Sequence, residues 1–408
     1  MEKLKIFNKI KKFFLNFSVV RKRSLLFLLL ISLSRYISIR LYGLNLTPHL
    51  TYLGKGAEIV GLIFAISWII SAFSSILGGL LIEILDTKLT LLLSFILGIL
   101  GLISFSLTEN LFFIIFIIIL LTIIPSIYAI AEPSIIGNLT TKNERGKVNS
   151  TFMGLSSFIG ILLPVLWGIT VFKKGTKISF IISAIFLGVC IILTLIGFSS
   201  KSTINKKKNV KNKTIFLDFL KSGRYLFQNI NLRYVTIAII FLALSFMAID
   251  PFLYMFLIKD LNFNTKQIGN ILSIGEAVFV LSMIPSGLIA DKIGRKLPMV
   301  IGSILFSSSL IGFSVSKDFI TFTLLWMITR FGTALFLPSQ NAIIQDLAPV
   351  EKIGAIFGFI MFASNLSAGL GSLPMGIINN NFGPRTMFLV ACVISFLIPI
   401  FIVLIKEE

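Results

Sequence analysis

Six ionisable side chains sit inside otherwise apolar stretches of this 408-residue chain: Arg35, Arg40, Glu132, Asp250, Glu276 and Arg330. Unpaired at the centre of a bilayer, each would cost about 2.5 to 3.5 kcal/mol on an insertion scale, so each needs a partner or a polar cavity. Three are cations and three are anions, so the set can neutralise itself. A carboxylate in such surroundings binds its proton more tightly on burial and less tightly beside a guanidinium. That is the physical requirement for a group whose protonation must follow access to one side of a membrane or the other. Asp250 and Glu276, mid-depth to outer, are the proton candidates; Glu132 lies closer to the inner end and is a candidate gate residue.

Other chemistries lack the residues they need. His49 is the single histidine, and Cys190 and Cys392 lie inside apolar runs as small hydrophobes, so neither a metal centre nor a disulfide is expected. There is no GxxxxGK[ST] phosphate loop and no HExxH. No cofactor is expected, and no enzyme activity.

Spacing sorts the six further. Ser32, Arg35, Ser38, Tyr42, Asn45 and His49 recur every three or four residues and form one polar helix face. Arg40, five residues from Arg35, falls roughly 140° away and off that face, where it is expected to snorkel or to pair structurally. Thr122, Pro125, Tyr128 and Glu132 make a comparable stripe. The chain also matches itself without a gap at an offset of 208, through pairs such as Gly61/Gly269, Gly79/Gly287, Lys88/Lys296, Gly146/Gly354 and Gly168/Gly376. In that register Asp250 takes the place of Tyr42, Arg330 of Thr122, Gln340 of Glu132 and Glu276 of Trp68. Arg35, Tyr42, Glu132, Asp250 and Arg330 are therefore expected around one water-filled cavity, whereas spacing assigns Glu276 to no particular face.

The elements that must position these residues are set by composition. The chain is 56% hydrophobic and 13% charged, against about 25% charged in soluble domains, which excludes a water-soluble enzyme and a disordered chain. A bilayer core takes about 20 apolar residues of helix. Twelve runs qualify: 24–47, 59–82, 89–108, 111–138, 149–172, 178–198, 234–258, 267–290, 297–316, 319–345, 353–378 and 385–405. The first is not a cleaved leader, because no small-residue cleavage site follows it. Of 37 Lys and Arg, 26 fall in the termini and alternate loops of one side, eight in the loops of the other, and three within runs. The basic side is cytoplasmic by the positive-inside rule, so both termini are expected inside. The net charge of +20 is thus a topology signal, and no nucleic acid is expected.

Four regions follow: a basic N-terminal segment at 1–23, a six-helix half at 24–198, a basic cytoplasmic linker at 199–233 and a second six-helix half at 234–408. Leu4, Phe7, Ile10, Phe14 and Phe17 stand at helical spacing among lysines, which suits an interfacial helix on anionic lipid and equally a basic anchor that only fixes topology. Each half begins on the same side, so the repeats are parallel, a plan used by transporters whose site lies between the halves at mid-membrane.

After the eighth run the chain reads GLIADKIGRK, Gly287 to Lys296. This resembles the signature of the major facilitator superfamily, Gly-x-Leu-Ala-Asp-basic-x-Gly-basic-basic, and the twelve runs, six-plus-six split and basic middle loop extend the resemblance over the whole chain. The first half carries GLLIEILDTK at Gly79 to Lys88, with Glu83 at the Asp position, Asp86 where the second glycine belongs and a single base. The resemblance implies an all-α membrane fold of two pseudo-symmetric halves, with runs one, four, seven and ten lining the cavity. It implies gating loops at Gly79, Glu83, Gly287, Asp291, Gly294 and Arg295, with Asp291 facing the start of the fifth run and Glu83 that of the eleventh. Gly154, Gly160, Pro164 and Gly168 partly match a glycine pattern of antiporters in the family, although Leu163 and Trp167 replace two glycines.

The expected function is alternating-access secondary transport of a small organic solute coupled to protons, by a monomer embedded in the lipid bilayer of the plasma membrane. Forty phenylalanines allow an amphipathic compound, and the resemblance implies its export. Arg35 with Arg330 allows an organic anion instead. Movement of lipid or lysolipid needs the same cavity and stays open; a non-transporting sensor is disfavoured because the longest polar segment is only about 35 residues.

Overall fold

The computed structural model describes residues 23–84, 87–140, 142–198, 223–349 and 352–406, apart from the side chains at some helical positions within them. The basic N-terminal segment and most of the central linker lie outside the described residues. Helices account for nearly all the rest. In order they are α1 (Arg23–Tyr52), α2 (Ala57–Ile84), α3 (Thr87–Leu107), α4 (Leu111–Leu139), α5 (Lys142–Lys174), α6 (Lys177–Gly197), α7 (Ile230–Phe246), α8 (Thr265–Ile293), α9 (Lys296–Val315), α10 (Phe319–Leu347), α11 (Ile353–Ser395) and α12 (Leu397–Val403). A short helix, Leu253–Met255, and a π turn, Phe256–Asp260, continue α7 after a break. No strand occurs among the described residues.

The eleventh and twelfth runs are two helices that meet at Gly383, whose φ of 83° is non-helical and open to glycine. The chain does reverse there, since Asn380 lies beside Gly56 while Lys406 bonds Asn231. One element differs from the expected runs, for a local reason. The seventh run is broken: α7 stops at Phe246 and residues 247–252 form turns. Pro251 has no N–H to give the carbonyl one turn back and disfavours a helical Asp250 before it. Polar residues cap the ends that face water, as at Asn264, whose side chain and that of Gln267 form a reciprocal box, and at Asn110, Asn229 and Asp318.

The start of α1 packs against the end of α6 through Phe27 and Gly197, and Lys88 bonds the carbonyl of Phe198, while Lys296 Nζ reaches the carbonyl of Ile405 at 2.9 Å. These contacts gather the start of α1 and the residues after α12 on one face, called here the terminal face. The first six and last six helices meet along α2 with α11 and α5 with α8. Both seams are tightest near the opposite face and are built from glycine. A Cβ on Gly61 would lie 2.7 Å from the carbonyl of Ser372, and one on Gly376 would lie 2.7 Å from that of Ala57. A Cβ on Gly168 would lie 2.4 Å from the carbonyl of Thr265, and one on Gly269 would lie 2.4 Å from that of Pro164. Gly61 therefore meets Gly376 while Gly168 meets Gly269, so the glycines matched by the 208-residue repeat form two equivalent seams. Toward the terminal face, Gly154, Gly287, Gly354 and Gly358 meet nothing within 4 Å among the described residues.

Candidate functional site

The polar face expected on α1 divides in two. Its outer part is a packing joint: Asn45 Nδ2 donates to the carbonyl of Thr176 at 2.7 Å, and His49 Nδ1 lies 2.8 Å from the Thr176 hydroxyl. Trp167 Nε1 donates to Asn45 Oδ1 at 3.3 Å. Asn45 and His49 are both fully buried, so they tie α1 to α5 and α6. Ser38 is likewise buried. A different set, Arg35, Ile39, Tyr42, Gly43 and Leu46, turns to a cavity of 540 Å³, and Arg40 joins them there.

Glu276 is the centre of this cavity's charge. One of its oxygens pairs with Arg40 and the other accepts from Arg330 Nη2 at 2.6 Å. Arg330 and Glu276 are each only 14% exposed, whereas Arg40 is 39% exposed. Arg40 belongs to α1 and Glu276 to α8, so the pair bridges the two sets of six helices. Depth follows from helix rise: Glu276 and Arg330 are each 11 residues from the outer ends of α8 and α10, or about 16 Å at 1.5 Å per residue. Arg40 is 12 residues from the end of α1, about 18 Å on the same scale. Gly275 makes the α8 to α10 contact close enough, because a Cβ there would lie 2.2 Å from Trp326 Nε1 and 2.9 Å from Arg330 Cγ. The Arg330 guanidinium also lies 4.4 Å from the Phe279 ring centroid, a cation–π contact that helps replace lost hydration.

Arg35 is held differently. Its guanidinium stands 4.0 Å from the Tyr128 ring centroid and 3.9 Å from Glu132. Glu132 Oε1 also accepts from the Ser32 hydroxyl at 2.6 Å. Glu132 is absent from the residues that line the cavity, so this carboxylate serves the α1 to α4 contact and supports Arg35 from behind. Its repeat mate Gln340 has a buried Oε1 without a hydrogen bond.

Asp250 sits in the break of α7, exposed to the cavity. Among the described residues no cation lies within ion-pair distance of it, although Arg40 acts on it electrostatically. A discontinuous helix exposing polar groups at membrane depth is tolerated where it lines a cavity and is a recurring way to build a transport site. The cavity wall otherwise includes Phe64, Trp68, Phe246, Tyr254 and Trp326. Trp167 packs edge-on against Tyr254 at 5.6 Å, linking α5 to the helix beyond the break.

The structure thus brings Arg35, Tyr42, Asp250, Glu276 and Arg330 to one cavity and places Glu132 just behind it. Repeat mates face the same space: Tyr42 with Asp250, Trp68 with Glu276 and Thr122 with Arg330. Spacing alone had set Arg40 apart, and it gave no reason to single out Gly275, Tyr254 or Trp326. A glycine immediately before a buried glutamate was the available signal for Gly275. Of the expected gating residues, the side chains of Glu83 and Asp291 and the surroundings of Gly79 lie outside what is described. Gly287 meets nothing within 4 Å among the described residues, Gly294 ends α8 with φ 90°, and Arg295 pairs with Asp346 at 3.5 Å on the same face.

A family model described as Major Facilitator Superfamily matches residues 28–232 and 235–408. The chain belongs to the Major Facilitator Superfamily. It is therefore a membrane transporter for small molecules rather than an enzyme, crossing the membrane many times. Quinolone resistance protein NorA of Staphylococcus aureus is 33% identical over 142 residues, 34% of this chain and 35% of NorA. The uncharacterised MFS-type transporter YhjO of Bacillus subtilis is 23% identical over 121 residues, 29% of this chain and 30% of YhjO. The chain thus matches about a third of the length of these curated relatives. Among solved structures, the nucleoside transporter NupG superposes with a TM-score of 0.78 at 15% identity, over 94% of this chain and 99% of NupG. An inward-facing bacterial homologue of the human lysosomal transporter Spinster gives 0.77 at 13% identity, over 94% and 96%. These two likenesses concern the fold.

Proposed function

We propose that this superfamily member exports an amphipathic organic solute in exchange for protons, with the cavity around Glu276 and Asp250 as the shared site. The observation that carries this reading is Asp250, a carboxylate held at a helix break, open to the cavity and without an ion-pair partner among the described residues. Such a group can take up a proton or a solute cation, and either event changes the charge of a low-dielectric space. Arg40, paired with Glu276 across the two sets of helices, feels that change directly.

Alternating access then has a physical form. The glycine seams close the opposite face, and toward the terminal face Gly154, Gly287, Gly354 and Gly358 meet nothing within 4 Å among the described residues, which supports an inward-open state if the basic loops are cytoplasmic. Opening the opposite face requires the four glycines to part. Exchange of solute for a proton at Asp250 would supply the bias, because it alters the field at Arg40 and Glu276, the ion pair that spans the halves. Residues 24–198 and 234–408 are the two rigid halves in this scheme, 1–23 and 199–233 are cytoplasmic, both termini face the cytoplasm of a plasma membrane, and the unit is a monomer. Three cavity arginines favour a second reading, organic-anion transport.

The test is flux in proteoliposomes holding purified protein and a fluorescent amphipathic cation, with a pH step across the membrane. Proton-driven movement of dye that Asp250→Asn and Glu276→Gln reduce supports the proposal. Flux that ignores the pH step, or that both variants leave unchanged, overturns proton coupling through these residues.

A further inference from the structure

The charges of the cavity, with Glu132 behind it, sum to zero when all are ionised but are not spread evenly. Arg35 is answered from behind by Glu132, which also accepts from the Ser32 hydroxyl. Arg40 and Arg330 share one carboxylate, Glu276, so this trio carries one net positive charge. Asp250, when deprotonated, adds one negative charge without an ion pair among the described residues. Arg40 keeps 39% of its side chain exposed while paired, and it lines the cavity. The cavity wall therefore carries a positive group and a negative group, and Trp68, Phe64, Tyr254 and Trp326 line the same cavity.

A solute with only a cation would satisfy Asp250 and leave the trio's excess positive charge facing it. A solute with only an anion would satisfy the trio and meet Asp250 as a like charge. Each case leaves one buried pole uncompensated, which is the expensive outcome inside a membrane protein. We propose that the preferred ligand is an amphipathic zwitterion, its anionic group on Arg40 and Arg330, its ammonium group on Asp250 and its aromatic body on the tryptophans. The proposal rests on the transport reading above and narrows its substrate class. It also gives the proton a role: at Asp250 the ammonium group and the proton are alternatives, so a bound zwitterion leaves no need for protonation there.

Two scaffolds test this, because the distance between charges is a variable: biphenylalanine, with adjacent charges, and 4′-(aminomethyl)biphenyl-4-carboxylic acid, with its charges at opposite ends. Each is compared with its methyl ester, which keeps the cation alone, and its N-acetyl derivative, which keeps the anion alone. Binding is measured to the purified full-length protein by the shift in its melting temperature, which rises by mass action when a ligand binds the folded state. At least one zwitterion should bind roughly tenfold tighter than both of its single-charge derivatives, the effect of one charge-assisted contact. Asp250→Asn should bring that zwitterion down to the affinity of its N-acetyl derivative, and Arg40→Gln to that of its ester. The proposal is overturned if, in both scaffolds, a methyl ester or N-acetyl derivative binds as tightly as its parent zwitterion, and a lack of binding by all six compounds overturns it too. The transport reading stands or falls separately on the proteoliposome flux.

Discussion

Adding one methyl group at Gly269 should push the protein out of the state described here. A Cβ at that position would lie 2.4 Å from the carbonyl oxygen of Pro164 and 3.3 Å from the Cα of Gly168, whereas ordinary contact begins near 3.4 Å. Both obstacles are backbone, so α5 and α8 must separate by about 1 Å, and overpacking of this kind costs typically 1 to 3 kcal/mol. The cost exists only while the seam is closed. It therefore shifts the equilibrium against the closed opposite face by about 5- to 150-fold. The gain in helix propensity from glycine to alanine, about 1 kcal/mol, applies to both states and drops out. Spin labels at Lys174 and Asn264, both exposed at the outer ends of α5 and α8, report the separation, in a background where the buried Cys190 and Cys392 are replaced by alanine. Gly269→Ala should move the distance distribution to longer values, and Gly168→Ala should do the same. Gly188→Ala, where a Cβ meets nothing within 4 Å, is the control. A Gly269→Ala distribution that coincides with this control would refute the idea that glycine contact holds the opposite face shut.

Glu276→Gln should destabilise the protein by about 3 kcal/mol, the lower end for breaking a buried pair, because Arg330 loses its counter-charge while the more exposed Arg40 loses less; unfolding in mixed micelles measures it. The double variant Glu276→Gln with Arg330→Gln should recover more than half of that loss, since no uncompensated guanidinium stays buried there. A cysteine at Lys55, on the opposite face, should react with an impermeant maleimide in whole cells, and one at Arg224 should react only after lysis. At Asp318, backbone and side-chain hydrogen bonds from Thr321 hold the carboxyl below its ordinary pKa. Its capping of α10 is thus fully present above the ordinary carboxylate range and is lost as pH falls through the lowered value. Hydrogen exchange at Thr321, corrected for the intrinsic rate, should accelerate in that acid window and should show no such step in Asp318→Asn.

The helices were legible because each apolar run is bounded by charged or capping residues, as at Asn264 and Asp318. The repeat was legible too, and it gained physical meaning when its glycines proved to be the seams between helices. The site was only partly legible. One helical wheel cannot show that Arg35 and Arg40 both reach the cavity while Asn45 and His49, on the same stripe as Arg35, are sealed against Thr176. That division depends on which neighbours pack against α1, and those come from more than 120 residues away. Glu276 has apolar neighbours and no periodic signal; its role depends on Arg40, 236 positions distant, and Arg330, 54 positions distant. Pro251 was present to mark the break of α7, but a continuous apolar run around it hid the turn that turns Asp250 to the cavity.

The shared use of Asp250 by proton and solute can be measured without any flux. Purified protein in lightly buffered detergent is mixed with a binding amphipathic compound at a concentration that saturates each variant, and the proton count is read from a pH indicator over a range of starting pH. The account predicts that the unaltered protein releases protons on binding within the pH range where Asp250 is protonated, and that Asp250→Asn releases none. Full proton release by Asp250→Asn would contradict it, because the exchanged proton would then reside on another group.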